Sequence, residues 1–326
     1  MLLDATCAPA DIRYPTDIAL LNEAREKSEE IIDQLYERVK DRINKPRTYR
    51  NVARKAFLQV SRNRKPSRKV IRKGIKKQLQ YLRRNITYIT ELSKESPLTG
   101  LSRKLYRNLL VLQEVYRQQS EMFDQKKHSV TGRIVSISQP HVRPIVRGKA
   151  KAPVEFGAKI SVSRVDGYAY LETISWEPYH EGVLLKEHIK VYKKRFGCYP
   201  ESVLADKIYR TRENLRFCKE LGIRLAGPPL GRPPKDKAVY KAILQEARED
   251  EKQRVPIEGV FGRAKRKYGM GLIKEKLQNT SENTLAMIIL GMNLEKILGD
   301  LFVLFYWFFG KVIFQPIFRW KLAEKS

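Results

Sequence analysis

The chain has 326 residues, 42% of them hydrophobic, and its 65 Lys+Arg against 36 Asp+Glu give a formal net charge of +29. This composition allows one large or two modest domains, and the excess of cations predicts a polyanionic partner, either nucleic acid or an anionic membrane surface. Three cysteines without CxxC or Cys/His spacing argue against a disulfide framework and a zinc site, and they fit a reducing cytoplasm.

The first 128 residues predict a short strand followed by an all-helical segment. Met1 to Cys7 is a short apolar stretch interrupted by Asp4. Thr16 or Asp17 is a suitable N-cap for a helix that runs to about residue 45. Apolar residues at helical spacing predict three more helices, at 52–61, from Pro66-Ser67 to about 86, and at 101–123.

The helix predicted from Pro66-Ser67 to about residue 86 carries a set of cations that recur with a four-residue step. These are Arg68, Lys69, Arg72, Lys73, Lys76 and Lys77, and we call them the basic stripe because this spacing places them along one helix face. The stripe is either a solvated face without a partner or a surface that contacts the DNA backbone. We favour DNA, because an uncompensated row of cations repels itself unless phosphates lie against it.

The pattern changes at Thr131, after which strands alternate with helices. Residues 133–153 predict an extended, basic connection that is punctuated by prolines. Two strands follow, joined at Asp166-Gly167, which is the strongest hairpin signal in the chain; Asp166 is therefore expected to be a turn residue and not a catalyst. The predicted strands are 156–165, 168–176, 202–206 and 223–226, and the predicted helices are 181–196, 212–221, 238–267 and 282–298.

Apart from the helical block, the order is strand, hairpin, helix, strand, helix, strand, helix. This order predicts an α/β, RNase H-like fold: a mixed sheet flanked by helices, with a large all-helical insertion after the first strand and the site at one end of the sheet. We expect four parts, namely 1–15 (first catalytic strand and turn), 16–130 (helical, basic, DNA-contacting insertion), 131–298 (remainder of the catalytic domain) and 299–326 (aromatic and basic tail).

The tail contains an apolar run from Leu301 to Phe309. The run is short of the roughly 20 residues that a spanning helix needs, and Gly310-Lys311 interrupts it. We therefore expect a tail packed on the core or on a partner, in preference to a membrane helix. Read-through sequence at the end of a decayed gene is a further interpretation.

Three carboxylates stand out as a candidate metal site: Asp4 on the first strand, Asp206 at a strand end and Glu258 in a helix. Carboxylates without His or Cys partners suit Mg²⁺ or Mn²⁺. Two such ions roughly 3.5–4 Å apart can activate an attacking oxygen and stabilise a leaving one. In this interpretation Asp4 bridges the two ions, Asp206 binds one and Glu258 binds the other.

Two cations flank Glu258 on roughly one face of the predicted helix, Arg254 four residues before it and Lys265 seven residues after it. Both can hold phosphates beside the metal ions, Arg254 as a bidentate fork and Lys265 as a point charge. Spacing alone favours a simpler interpretation, in which Arg254 and Glu258 form an ordinary helix ion pair.

Around these residues the sequence resembles the DDE transposases of bacterial insertion sequences, a family with an RNase H-like catalytic domain and a Tyr-x2-Arg-x3-Glu-x6-Lys motif around the last acid. Arg254, Glu258 and Lys265 match the spacing, and Glu251 stands where the tyrosine falls. Leu204-Ala205-Asp206-Lys207-Ile208-Tyr209 resembles the second-aspartate segment, and Leu3-Asp4-Ala5-Thr6 the first. The resemblance runs from about residue 2 to about residue 298.

The resemblance implies a cytoplasmic, nucleoid-associated transposase that cleaves and joins DNA strands with two Mg²⁺ or Mn²⁺ ions. Its partners would be double-stranded DNA, at the element's terminal repeats and at the target, and further copies of itself during the reaction. Asp4, Asp206 and Glu258 would be catalytic and metal-binding. Family members carry a helical region before the first aspartate, so the alternative is a truncated, inactive remnant that only binds DNA or associates with an intact copy.

Overall fold

A computed structural model of the chain describes residues 1–149, 152–228, 230, 231, 234 and 236–307. This part of the chain contains eight α-helices and a six-stranded sheet. It forms two compact units. The first unit comprises Met1–Pro9, Ala158–Glu275 and the chain from Asn279 onward, and the second comprises Ala10–Gly157 with Lys276–Gln278.

The sheet is mixed, and its strand order is β2-β3-β1-β5-β6, with β4 also paired to β3. Strands β1, β5 and β6 run parallel to one another, whereas β3 is antiparallel to both β2 and β4. The strands are β1 (Leu2–Pro9), β2 (Arg143–Lys149), β3 (Ala152–Val165), β4 (Tyr168–Ser175), β5 (Ser202–Ala205) and β6 (Arg224–Leu225). The predicted α/β class, with a mixed sheet and a helical insertion after the first strand, is confirmed and is consistent with an RNase H-like fold.

The hairpin between β3 and β4 forms where the sequence predicts it. Asp166 has φ 50° and Gly167 has φ 88°, and two successive residues with positive φ are what a two-residue type I′ turn requires. Asp166 is thus a turn residue, as expected. Strand β2 was not predicted, because Pro144 and Gly148 are poor strand residues; it lies at the sheet edge, where proline is tolerated.

The core of the first unit lies around β1 and β5. Leu3 on β1 and Val203 on β5 are fully buried together with Leu185, Ile189 and Tyr209. The helices of this unit are α5 (Leu185–Phe196), α6 (Arg212–Glu220), α7 (Lys237–Lys267) and α8 (Gln278–Phe305). Helices α5 and α6 were predicted within one to four residues, whereas α8 extends seven residues beyond the predicted end.

The second unit has its own hydrophobic core, built from the helices of the predicted insertion. These are α1 (Asp17–Glu37), α2 (Arg50–Ser61), α3 (Arg68–Glu95) and α4 (Arg103–Gln125). Thr16 caps α1 as predicted, because its hydroxyl accepts a hydrogen bond from the Ala19 amide. Residues of α1, α3 and α4 such as Ile31, Leu82 and Leu112 are fully buried in one cluster.

The C-terminal run was predicted to be a tail that begins at residue 299. Helix α8 continues instead through Phe305, and residues 308–326 lie outside the described part of the chain. Among the described residues, no helix combines the length and the apolar content that crossing a lipid bilayer would require.

Candidate active site

Two of the predicted catalytic carboxylates lie side by side because β1 and β5 are adjacent parallel strands. Leu2 is paired with Leu204 and Leu3 with Ala205, so Asp4 and Asp206 occupy the next position in the same register. Successive residues of a strand alternate between the two faces of the sheet, and residues paired across neighbouring strands share a face. The strand pairing thus joins residues that are about 200 positions apart in sequence.

Asp4 is largely buried, with 17% of its side chain exposed. Its Oδ1 accepts a hydrogen bond of 2.8 Å from the Ala5 amide, and its Oδ2 lies 3.1 Å from Nη1 of Arg254. Loss of hydration on burial raises the pKa of Asp4 to about 6, against the opposing effects of the Ala5 amide and Arg254. The negative charges of Glu181 and Asp206 raise this pKa further.

Asp206 directly follows β5 and is exposed. Its Oδ1 accepts a hydrogen bond of 2.5 Å from the Lys207 amide, and it caps the short 3-10 turn Lys207–Tyr209. A cavity of about 60 Å³ lies beside it, lined in part by Arg210, Asp250 and Arg254. Asp206 therefore caps a turn and also presents its carboxylate to open space.

Arg254 links the first strand to the third predicted carboxylate. While Nη1 bonds to Asp4, Nη2 donates to Oε1 of Glu258 at 3.0 Å. The Glu258 side chain is 58% exposed, and that of Arg254 only 17%. The helix ion pair that spacing alone favoured is therefore present, and the same guanidinium also holds the buried carboxylate of Asp4.

Lys265 reaches the same strand as Arg254 does. Its Nζ donates a hydrogen bond of 3.0 Å to Oγ1 of Thr6, and Thr6 lies two residues after Asp4, on the same face of β1. Pro256 lies inside α7, between Arg254 and Glu258. The two predicted phosphate-binding cations on α7 thus both contact polar side chains of β1.

Glu181 is a further acidic residue at this site that sequence reasoning did not select. It lies in the short 3-10 turn before α5, and its charge acts on both Asp4 and the buried Tyr209. Lys159 on β3 holds it with an ion pair of 2.9 Å, and the same ammonium donates to the Tyr179 carbonyl at 2.8 Å. No sequence spacing links Lys159 to Glu181, so only the fold could reveal the pair.

The donor chemistry of Asp4 and Asp206 suits a hard divalent cation. Proteins bind Mg²⁺ through one or two carboxylates together with water and substrate phosphates. Across the described residues, no group of three His, Cys, Asp or Glu side chains lies in a position to hold a metal ion. The Asp4 and Asp206 carboxylates are of the chemical kind that such an ion prefers, and in this arrangement Arg254 engages both Asp4 and Glu258.

The basic stripe lies on α3 in the second unit. Its six side chains are exposed, and none of them takes part in an ion pair with another described residue. Arg72 also lies over the Phe123 ring, 4.0 Å from its centroid. The stripe is thus an uncompensated cationic face, which is the property that its proposed contact with phosphates requires.

Comparison with known proteins connects the first unit to a family. Residues 203–295 match the family described as Transposase DDE domain, a little over a quarter of the chain. The matched segment contains Asp206, Arg254, Glu258 and Lys265, whereas Asp4 lies outside it. Neither a curated protein nor a solved structure matches this chain. The match supports a DDE transposase, a family whose catalytic domains generally use divalent metal ions and act on DNA.

Proposed function

We propose that this chain is a transposase that cleaves and joins DNA strands at the ends of an insertion sequence in a metal-dependent reaction. The observation that carries the proposal is the placement of Asp4 and Asp206 at one register position of adjacent parallel strands. Helix α7 supports it, since Arg254 and Lys265 both extend to β1 beside those carboxylates. The family match over residues 203–295 supports the same reaction class.

Asp4 and Asp206 would hold one Mg²⁺ or Mn²⁺ ion, and Glu258 would contribute to a second. When bound, the two ions would supply a Lewis acid at the attacking oxygen and another at the leaving oxygen. The remaining tasks, which are to hold the phosphate and to align the strands, fall to the cationic side chains of the chain.

Arg254 is suited to exchange one partner for another when DNA binds. Its bond to Glu258 is the weaker of its two ion pairs, because the Glu258 side chain is mostly in solvent, and exposed pairs contribute only about 0.2–1 kcal/mol. Its bond to Asp4 is more buried. An incoming phosphate can therefore replace Glu258 on Nη2 while Nη1 stays on Asp4, and this exchange would release the Glu258 carboxylate.

The proposed chemistry is an in-line displacement at phosphorus. For cleavage the attacking oxygen belongs to water, and for joining it belongs to a DNA 3′-hydroxyl. A new P–O bond forms as the bond from phosphorus to the 3′-oxygen of the attacked strand breaks. The attacking group loses its proton, and the departing 3′-oxygen becomes a hydroxyl after it gains one. Lys265 and Arg254 would neutralise charge on the non-bridging phosphate oxygens.

Double-stranded DNA is the proposed partner of the second unit, through the basic stripe on α3. Lys and Arg side chains that lie against phosphates release counterions, which makes such binding strong at low salt and independent of sequence. The stripe would thus hold the duplex without selecting its sequence. Because joining two element ends needs both ends in one complex, we include a homo-oligomer during the reaction in this proposal.

The test compares three proteins on labelled DNA taken from both sides of the reading frame, and on a supercoiled plasmid. Wild type should nick the DNA with Mg²⁺ or Mn²⁺ and not with EDTA. Glu258→Gln should lose nicking down to the EDTA background. Glu249→Gln, an exposed carboxylate on the same helix, is the matched control and should retain it. If wild type nicks no better than Glu258→Gln, the catalytic proposal is wrong.

Two observations favour a second candidate, a remnant that binds DNA without catalysis: Glu258 is paired with Arg254, and no three carboxylates cluster among the described residues. Such a protein would bind duplex DNA with strong salt dependence, and binding would survive the combined loss of Asp4, Asp206 and Glu258. Salt-dependent binding without metal-dependent nicking by wild type would select this candidate over the transposase.

A further inference from the structure

Up to about Met292, helix α8 has one buried apolar face and one that is exposed among the described residues, whereas residues 297–307 are exposed on all sides of the helix. Leu285, Ile288, Ile289 and Met292 of this helix, which belongs to the first unit from Asn279 onward, are buried. This packing anchors the helix to the sheet side of that unit through bonds such as the one from Asn293 Nδ2 to the Ala169 carbonyl, at 2.7 Å. The other face is solvent-exposed along most of its length.

The exposed face follows a heptad pattern. Positions 287, 294 and 301 are seven residues apart, and so are positions 290, 297 and 304, which are offset from the first set by three. These are the a and d positions of a heptad. We call the six residues the α8 seam; each is between 42% and 63% exposed, and they are Met287, Leu290, Leu294, Ile297, Leu301 and Leu304.

The seam is too large and too regular for ordinary surface scatter. Single exposed leucines are common on soluble proteins, but a continuous apolar stripe of this kind marks an interaction surface. The seam spans 18 residues, or about 27 Å of helix. Leu298 and Phe305, 67% and 56% exposed, widen it on one side.

The charges around the seam favour a second copy of this chain as its occupant. Two chains of net charge +29 repel each other over most of their surfaces, but no seam position is charged. The nearby charged side chains on α8 are already neutralised: Glu295 bonds to Lys267 and Tyr268, and Lys296 pairs with Asp300 at 2.8 Å. Two copies can therefore meet at the seam without placing unpaired like charges of α8 opposite each other.

We propose that the α8 seam is a homodimer interface, in which α8 of one chain packs on α8 of a second chain about a two-fold axis. A heptad stripe is self-complementary, as a two-fold interface requires. The seam is shorter than the three to four heptads of a free-standing coiled coil. Packing of the opposite face as far as Met292 already holds the first half of α8 as a helix, so pairing need supply the free energy of helix formation only for the turns beyond it.

The first experiment measures the mass of the full chain in nuclease-treated, high-salt solution by light scattering after size exclusion. Wild type should have about twice the 38.0 kDa of one chain. Leu294→Gln combined with Leu301→Gln should shift it to the monomer mass. Phe302→Gln combined with Val303→Gln, at exposed apolar positions outside the seam, is the matched control and should leave the dimer intact.

Three results would overturn the proposal. The first is a monomeric wild type, which would mean that the seam is covered by another part of the chain or by a lipid surface; binding to liposomes would identify the latter. The second is a dimer that persists in the seam variant. The third is equal dissociation in the control variant, which would mean that the heptad register is irrelevant.

A second measurement does not depend on how the glutamine variants fold. In a Cys198→Ser background, Leu294→Cys should form a disulfide-linked dimer on mild oxidation if the helices are parallel. If they are antiparallel, residue 294 faces residue 297, and a mixture with Ile297→Cys should cross-link instead. Val303→Cys should not cross-link in either case. Failure of both seam pairs, or equal cross-linking of Val303→Cys, would contradict the proposal. Neither experiment measures DNA cleavage, so the dimer proposal is tested independently of the proposed function.

Discussion

Arg254 donates a hydrogen bond of 3.1 Å to Asp4 across 250 positions of sequence, and both side chains are 83% buried. A buried carboxylate beside a buried guanidinium is stabilised as a charge pair, and breaking such a pair leaves an uncompensated charge. The bond therefore fixes α7 against β1 and at the same time sets the electrostatic environment of Asp4.

We predict that Arg254→Lys reduces DNA nicking by about 10- to 100-fold. A lysine retains the charge but cannot bond to Asp4 and to a second partner with a planar fork, and hydrogen bonds to charged groups contribute about 1.5–3 kcal/mol. Single-turnover nicking rates measure the effect. Arg248→Lys, an exposed arginine on the same helix, is the control. Equal losses in both variants would show that the paired position of Arg254 is irrelevant.

The basic stripe predicts a specific change in salt dependence. Replacing Lys69, Lys73 and Lys76 with glutamine should lower the slope of log affinity against log salt by about 0.9 for each lysine that contacts a phosphate. Fluorescence anisotropy with duplex DNA at several salt concentrations measures this slope. The control carries the same charge loss on exposed lysines of the first unit, namely Lys190, Lys194 and Lys219. The stripe hypothesis is wrong if both triple variants lose the same slope.

His188 predicts a loss of stability on acidification. It is 2% exposed, its Nε2 lies 3.0 Å from Oγ1 of Thr173, and burial lowers its pKa below the ordinary value of 6.5. The charges of Glu172 and Glu187 oppose this shift only in part. In the unfolded chain His188 takes up a proton near pH 6.5, while in the folded chain it does so only at lower pH. The unfolding free energy therefore falls as the pH drops from 6.5 through the folded pKa.

Denaturant unfolding at several pH values checks this prediction. Because buried carboxylates such as Asp4 titrate with the opposite sign, the informative quantity is the difference between wild type and variant. His188→Gln should remove a slope of at most about 1.4 kcal/mol per pH unit, the limit for one proton. His180→Gln, at an exposed histidine, is the matched control. A pH profile that is identical for wild type and His188→Gln would refute the assignment.

We predict that replacing Gly74 by alanine destabilises the protein, although the higher helix propensity of alanine alone would predict the opposite. A Cβ added at this buried position of α3 would lie 2.8 Å from Ile18 Cδ1 and 2.8 Å from Val60 Cγ2. Gly74→Ala should therefore lower the unfolding free energy by about 1–3 kcal/mol through overpacking. Gly259→Ala, inside α7 with open space around the added methyl, should raise it by up to about 1 kcal/mol. Stabilisation by both changes would show that the helices of the second unit can separate to admit a methyl group.

The sequence allowed prediction of those features that are set by neighbouring residues. Asp166-Gly167 encodes its own turn, since both residues tolerate positive φ, and Thr16 caps α1 with its own hydroxyl. The strand-end position of Asp206 was likewise readable from the apolar residues before it. Apart from β2, these local signals were sufficient to place the strands and helices in the right order for the fold.

Other features depend on contacts that local patterns do not encode. Helix α1 was predicted to reach about residue 45 but ends at Glu37. Beyond Glu37 the chain continues in turns, one of which is closed by a hydrogen bond of 2.9 Å from the Val39 amide to the Tyr36 carbonyl. Because these turns keep Val39 and Ile43 at helical spacing, the sequence pattern looks like a longer helix. At the site, Arg254 donates one hydrogen bond to Asp4 and another to Glu258, and its bond to Asp4 joins distant segments, as does the Lys159–Glu181 pair. Such pairs have no spacing rule, so the sequence could not predict them.

The pairing of β1 with β5 also has a consequence for how the protein is made. During synthesis, Asp4 leaves the ribosome about 200 residues before Asp206, which at about 5–20 residues per second amounts to roughly 10–40 s. The helices α1 to α4 emerge in that interval and have a core of their own, so they can fold first. Strand β1 can pair with β3 as soon as that strand has been made. Its parallel neighbour β5 is made later, so the two carboxylates come together only when most of the chain already exists.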